Sequence, residues 1–214
     1  MINHLLTFGL DILIRQKAAS LVTRLDGFRW LDVCSGTGEM AASLHHIAKS
    51  NTQILSSDLS LDMLRQAKEK QEFKGILQTL ADSGSLPFHD DTFDLVTISY
   101  ATRNLNPTKE RLTKYLKEFR RVLKPGGTFI NVETSQPKSS LIRTLYHLYI
   151  RLVVRRLGKM ISGSKTGYAY LSYTVPRFYP AREFAQIIKL AGFHDIKWQS
   201  YFLGIFAIHQ ARAT

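Results

Sequence analysis

Cysteine is nearly absent from this chain. Cys34 stands alone, which excludes an intramolecular disulfide framework and agrees with a reducing compartment. Long uncharged apolar runs are missing too. A membrane-spanning helix needs roughly 18 such residues, and the best candidate, Leu141 to Leu157, is interrupted by Arg143, His147, Arg151, Arg155 and Arg156. The start, Met1 to Leu6, has neither the basic region nor the apolar stretch of a secretory leader, so a cytoplasmic location is expected. Metal-ligand spacing is lacking as well: His45 and His46 are adjacent rather than one helical turn apart.

Negative charge is scarce in one place in particular. Between Glu133 and Glu183 there is no acidic residue, while Lys138, Arg143, Arg151, Arg155, Arg156, Lys159, Lys165, Arg177 and Arg182 fall inside that window. They supply much of a net charge of +12. Such a local field attracts anionic surfaces, either nucleic acid or lipid headgroups, and a solvated basic face without a partner is the plain alternative. Hydrophobic residues at 44% and charged residues at 21% are ordinary for a globular protein, and 214 residues fit one domain spanning 1–214.

Residues 28–134 alternate short apolar runs with helical patterns. Strands are expected at Phe28 to Val33, Gln53 to Ser57, Ile76 to Leu80, Phe93 to Ser99 and Phe129 to Val132. Helices are expected at Glu39 to Lys49, Leu61 to Gln71 and Lys109 to Leu123, the last stopped by Pro125-Gly126-Gly127. This alternation predicts an α/β fold with a doubly wound, mostly parallel sheet. Residues 138–182 break the pattern as a basic, tyrosine-bearing segment without strands, inserted as a cap before the last helix, Ala181 to Ala191. Two closing strands, Ile196 to Tyr201 and Gly204 to His209, are placed to pair as an antiparallel hairpin.

The strongest local motif is Leu31-Asp32-Val33-Cys34-Ser35-Gly36-Thr37-Gly38-Glu39-Met40 at a strand-to-helix junction. Gly36 and Gly38 let the backbone turn tightly and approach a ligand that a Cβ would block. Gly36, Gly38 and Ala41 also satisfy a dinucleotide-binding pattern, and Asp58, twenty residues past Gly38, is placed to accept from ribose hydroxyls. Asp32 argues against a dinucleotide: a carboxylate at the mouth of the loop repels a pyrophosphate and suits the ammonium of a methionine moiety. Asp82 closes the third strand, where it can accept from an adenine amino group while the backbone of Ser83 donates to a ring nitrogen. These are successive βα corners, where open α/β sheets bind ligands.

Gly36-Thr37-Gly38, Asp58, Asp82, Leu86-Pro87-Phe88, Phe93-Asp94 and Arg121-Val122-Leu123-Lys124-Pro125-Gly126-Gly127 together resemble class I S-adenosylmethionine methyltransferases. More narrowly, the chain resembles the ubiquinone/menaquinone biosynthesis C-methyltransferases. That likeness rests on Asn3 to Asp11, Thr97 to Leu105, Val132 to Pro137, Tyr168 to Leu171 and Gly204 to His209, and extends over residues 3–210. It implies S-adenosylmethionine contacts at Thr37, Asp58, Asp82, Ser83 and Ser99. The whole candidate cofactor set is Asp32, Gly36, Thr37, Gly38, Asp58, Leu59, Asp82, Ser83 and Ser99. The chain departs from the family at Tyr100-Ala101-Thr102, where Phe-Gly-Leu is usual, and at Thr174, where Ser is usual. The family carries a helix-forming stretch ahead of the opening segment, so part of the active-site cap is expected to be missing or built differently here.

The acceptor that the resemblance implies is a prenylated quinol. Its ring must become phenolate-like before carbon attacks the methyl group, and a base must later take the ring proton. Arg103 is the expected polarising cation, with Asn104 as its orienting partner, and Tyr170 and His209 are the candidate bases. A structural ion pair for Arg103 and a structural role for His209 are the plain alternatives. Arg143, His147, Arg151, Arg155 and Lys159 recur every four residues, with Leu141, Leu145, Leu148 and Leu152 on another side. A basic amphipathic helix of this kind over 138–165 is expected to bind anionic membrane surfaces reversibly, and a helix packed on the core with its arginines in water is the alternative. Other small or lipidic acceptors remain open. RNA is disfavoured and no nucleic-acid partner is expected, since the chain has no Asn/Asp-Pro-Pro-aromatic tetrapeptide and no Cys in a Pro-Cys setting. A homodimer is left open.

Overall fold

The computed structural model of the chain describes residues 9–22, 28–154 and 172–214. Helix α1 (Leu10–Ser20) buries Asp11, Ile14, Arg15, Ala18 and Ala19 on one face. Strand β1 (Arg29–Val33) follows, then α2 (Glu39–Ile47), β2 (Gln53–Asp58), α3 (Leu61–Lys68) and β3 (Leu77–Leu80). Strand β4 (Phe93–Ser99), helix α4 (Lys109–Val122) and β5 (Leu123–Thr134) complete the alternating part. Beyond it come α5 (Ser140–Tyr149), α6 (Ala181–Leu190), β6 (His194–Tyr201) and β7 (Phe206–Arg212).

The strands form one seven-stranded sheet in the order β3-β2-β1-β4-β5-β7-β6. The first five are parallel, and β7 pairs antiparallel with both β5 and β6. This is the doubly wound sheet with an antiparallel C-terminal hairpin that the alternation and the turn residues predict. Leu31, Val96, Ile98 and Phe129 pack with α4 and α6 on one face. Trp30, Leu95, Ile130 and Val132 pack with α1 and α2 on the other. Leu112, Leu116, Phe119 and Val122 of α4 are all fully buried. Burying each contributes about 1.5–3 kcal/mol.

Three boundaries differ from the sequence expectations. Pro125-Gly126-Gly127 does not stop α4, because the helix has already ended at Val122 and Leu123 is extended and buried. The register jumps from Phe93–Leu123 to Leu95–Thr128, so the Pro-Gly-Gly triplet bulges out of β5. There it bonds to the chain end through Gly126 N–H to Ala213 O at 2.9 Å and Ala213 N–H to Gly127 O at 2.9 Å. Gly204 does not begin the last strand; it lies in the hairpin turn, and β7 starts at Phe206. Within the basic segment, α5 continues into a wider π-type turn over Ile150–Val154.

Conserving the sheet's amino-terminal edge falls to charged groups. Asp94 accepts from the backbone of Phe28 and Arg29 at 3.0 Å each and from Lys124 Nζ at 2.7 Å. Arg121 donates to the carbonyls of Phe88 (2.8 Å) and Leu86 (3.1 Å), and Glu118 accepts from Leu86 N–H at 2.7 Å. The Phe93-Asp94, Leu86-Pro87-Phe88 and Arg121-to-Gly127 motifs thus brace one another.

His209 lies within the helix–sheet core and is not brought to the carboxyl edge as a base. Its Nε2–H donates to the carbonyl of Ala181 at 2.8 Å, and its ring stands edge-on to Phe184 with centroids 5.0 Å apart. Burial holds the imidazole neutral, lowering its pKa from 6.5 to about 4. The unfolded chain takes up this proton as pH falls through 6.5 and the folded chain does not until about 4, so stability falls as pH drops through that window. At about 1.4 kcal/mol per unit, the share due to His209 between pH 7 and 5 is about 1–2 kcal/mol. Urea unfolding at both pH values should show the wild type losing that much more stability than His209→Gln; equal losses would contradict it.

Candidate active site

The strand order reverses direction between β1 and β4, which opens a crevice at their carboxyl ends. Backbone strain concentrates there. Cys34 (φ 52°) and Tyr100 (φ 55°) are left-handed residues at the ends of these two strands, and Gly36 and Gly38 are left-handed between β1 and α2. Gly38 has no substitute: a Cβ there would stand 2.3 Å from Cε2 of Phe73. A Cβ on Gly36 would meet nothing within 4 Å, so the space over the loop is open.

Asp58 fastens this loop. Its Oδ2 accepts from Gly36 N–H at 2.8 Å and its Oδ1 from Ser60 N–H at 2.9 Å. Each carboxylate oxygen keeps a second lone pair, enough to accept a vicinal diol. Leu59 beside it is 72% exposed, an apolar surface of the kind an aromatic base covers. Thr37 is oriented by contacts that sequence reasoning missed. Its hydroxyl donates to Glu39 Oε1 at 2.6 Å, and Lys70 Nζ donates to Thr37 O at 2.6 Å and to Glu39 at 2.9 Å. Although burial opposes it, hydrogen bonds from Thr37 and Lys70 hold the Glu39 carboxyl down at about 2. No spacing rule joins Lys70 to a loop more than thirty residues earlier, so only the fold could reveal it.

Asp32 does not stand at the loop's mouth. It is fully buried, with Oδ1 accepting from the Thr97 hydroxyl at 2.7 Å across the β1–β4 pair. Strand alternation at this depth points its side chain into the layer beneath the loop rather than into the crevice. Burial pushes its carboxyl up to about 7, against the pull of Thr97 and the positive charge of Arg15. Burial likewise pushes the Cys34 thiol up to about 12, which leaves it inert at neutral pH.

The remaining corners face the same crevice. Asp82 is exposed and accepts from Gly84 N–H at 2.8 Å, and Ser83 is buried next to it. Ser99 accepts from Arg15 Nε at 3.4 Å, while Arg15 pairs with Asp11 at 2.9 Å in a buried contact. The Arg15 guanidinium also lies 4.7 Å over the Tyr100 ring.

Arg103 sits in a short 3-10 turn, Thr102–Leu105, just past β4. The group that orients it is Glu133 at the end of β5, not Asn104. Arg103 donates to Glu133 through Nη1 at 2.5 Å and through its backbone N–H at 3.1 Å, with both side chains buried. Asn104 is exposed, about a third of a turn round the 3-10 turn from the buried Arg103. The Thr102 hydroxyl donates to Asn131 Oδ1, which ties the turn to β5 a second time. Arg103 Nε is buried without a protein partner among the described residues. Tyr170 lies outside the described residues.

The two loop glycines make a paired test. Gly38→Ala combines left-handed strain with collision against Phe73 and is expected to cost about 2–4 kcal/mol. Gly36→Ala carries the strain alone, about 1–2 kcal/mol. Urea unfolding of both variants checks the difference, and equal losses would contradict the packing described for Gly38.

The sequence profile of the ubiE/COQ5 methyltransferase family matches residues 1–213. A ubiquinone/menaquinone biosynthesis C-methyltransferase of Rickettsia bellii is 38% identical, over 99% of this chain and 86% of that protein. One from Desulfotalea psychrophila is 32% identical, over 98% and 83%. Among solved structures, a Thermotoga maritima SAM-dependent methyltransferase superposes with a TM-score of 0.67 at 19% identity, covering 95% of this chain and 89% of that one. Human N-acetylserotonin methyltransferase in complex with SAM superposes at 0.68 and 16% identity, covering 99% and 54%. These two likenesses show the fold. With the profile matching nearly the whole chain and these relatives 38% and 32% identical over 99% and 98% of it, the chain belongs to the ubiE/COQ5 methyltransferase family.

Proposed function

We propose that this enzyme transfers a methyl group from S-adenosylmethionine to a ring carbon of a prenylated quinol, of the demethylmenaquinol or ubiquinol-precursor type. The observation that carries the reading is the buried Arg103–Glu133 pair, set beside a glycine loop whose geometry suits an adenosyl ligand. The open space over Gly36, the spare lone pairs of Asp58 and the exposed Leu59 fit that cofactor. Asp58 would hold the ribose, Asp82 and Ser83 the adenine, and the backbone from Gly36 to Gly38 with Ser99 the methionine end. The cofactor supplies an electrophilic methyl group on a sulfonium.

The rest falls to the protein. Glu133 fixes Arg103 so that its unengaged Nε–H points to one place, a donor for a quinol oxygen that turns phenolate-like as the ortho carbon attacks. The donor costs no reorganisation because the ion pair already holds it. Residues 138–182 serve as the cap, and Tyr170 within them stays the candidate for relaying the ring proton. The basic segment over 138–165 brings the enzyme to an anionic membrane surface, where a prenylated acceptor is dissolved.

Arg103→Ala would leave Glu133 buried and unpaired, costing about 3–5 kcal/mol of stability. Arg103→Lys keeps the charge and loses the guanidinium's fixed geometry. It is expected to lower turnover by about 10–100-fold with S-adenosylhomocysteine affinity unchanged. Asp58→Ala is expected to do the reverse, weakening S-adenosylhomocysteine binding by about 1–3 kcal/mol in isothermal titration. Mass spectrometry of a demethylmenaquinol extract incubated with enzyme and cofactor should show one added methyl group. Binding of S-adenosylhomocysteine with no methylated quinol would overturn the acceptor assignment.

A further inference from the structure

Helix α5 has three faces. Tyr146 and Ile150 are buried against Val175, with Ile205 packed on the cluster. Arg143 and Arg151 are exposed on a second side. On the third side lie Leu141, Leu145 and Leu148, with Leu152 continuing the row into the π-type turn; they are 68%, 57%, 49% and 42% exposed. At 3.6 residues per turn the leucine row points nearly opposite the Tyr146–Ile150 pair, with Arg151 between the two and Arg143 beside Ile150. The core holds this helix through Tyr146 and Ile150, and the leucines are left outside it.

A second apolar projection stands beside the first. The turn joining β6 to β7 runs through Phe202, Leu203 and Gly204, all left-handed (φ 49°, 59° and 93°). Phe202 is 41% exposed and Leu203 73%. Hairpin turns that need positive φ ordinarily take Gly, Asn or Asp. Here two bulky apolar residues occupy the strained positions: Phe202 stands edge-on to the buried Phe206 with centroids 6.0 Å apart, and Leu203 is left almost wholly outside. The turn is close to α5: a Cβ on Gly204 would lie 3.1 Å from Cα of Pro137, just before the Ser139 cap of that helix. Ile205, next in the chain, packs on the cluster that carries α5.

We infer that the leucine row of α5 and the Phe202-Leu203 tip together form a lipid-inserting surface, with the tip as a second point of entry into a bilayer interface. Charge complementarity selects the occupant. Arg151 lies beside the apolar row, Lys138 stands just ahead of the helix, and no acidic residue occurs between Glu133 and Glu183, as a surface meeting anionic headgroups requires. This deepens the proposed function and rests on its lipidic acceptor, but it alters the source of the attraction. Two exposed apolar elements make insertion a major part of the binding, so attachment should outlast the screening of charge by salt.

Sedimentation with phosphatidylcholine vesicles, with and without phosphatidylglycerol, at low and high salt tests this. The wild type should bind both vesicle types and keep its binding to neutral vesicles at high salt. Leu203→Glu and Leu145→Glu, each at an exposed position, should each weaken binding by about tenfold on both. Arg143→Glu should weaken it on anionic vesicles at low salt only. All three variants should bind S-adenosylhomocysteine, and Leu203→Glu, outside the cap, should methylate a short-chain, water-soluble demethylquinol as the wild type does. A wild type that ignores vesicles, or a Leu203→Glu variant that binds like it, overturns the insertion surface. So does a wild-type dimer that Leu203→Glu converts to a monomer without any vesicle binding, since a second copy then covers the face. If vesicle binding follows the expected pattern while the soluble quinol is never methylated, the acceptor assignment fails and the insertion surface stands.

Discussion

Two opposite charges, Arg103 and Glu133, are held almost out of water at the carboxyl edge of the sheet, and the site is arranged around their need for one another. Removing a guanidinium and a carboxylate from water costs several kcal/mol for each ion. The cost is tolerable only with close pairing and with the remaining polar atoms satisfied. Glu133 meets that demand by accepting from the Arg103 side chain, the Arg103 backbone, and the backbone and hydroxyl of Thr134. Those bonds pin the exit of β4 to the exit of β5. Among the described residues Arg103 Nε is left buried without a partner, and one Nη1 bond to Glu133 leaves further N–H groups of the guanidinium uncommitted.

The motifs divide between the two edges of the sheet. Gly36 to Gly38, Asp58, Asp82, Ser99 and Arg103 lie at the carboxyl edge, with the left-handed Cys34 and Tyr100 among them. Phe93-Asp94 and Lys124 to Gly127 lie at the amino edge, where every bond noted is structural. The two sets answer to different demands: one is proposed to hold the cofactor, and the other closes the amino-terminal edge of the sheet.

Most of the fold was legible because buried parallel strands are continuous apolar runs. Phe93 to Ser99 came out with its bounds, and the amphipathic α4 to within a residue. The errors have physical causes. Pro-Gly-Gly reads as a stop, yet a bulge accommodates the same backbone freedom inside a strand. Asp32 looks like a ligand group because polarity is visible in sequence and depth is not; its hydroxyl partner, Thr97, lies on another strand. Glu133 as the partner of Arg103 was hidden for the same reason, being thirty residues away. Asn104 was named because it is adjacent, and adjacency in a 3-10 turn separates side chains.

The distribution of backbone strain separates what is built for folding from what is built for function. Among the described residues, six other than glycine have positive φ: Cys34, Asp91, Tyr100, Asp195, Phe202 and Leu203. Asp91 and Asp195 belong to a residue type whose short polar side chain eases the left-handed conformation in turns. The other four have no such excuse and fall in two places only. Cys34 and Tyr100 end the strands on either side of the crevice, and Phe202 and Leu203 form the apolar tip beside α5. A chain selected for stability alone would set glycine or asparagine at Leu203, since the change relieves strain at a position 73% exposed. That both places keep costly residues is what the proposed roles of the crevice and the tip account for, since folding alone gives no reason to retain the strain.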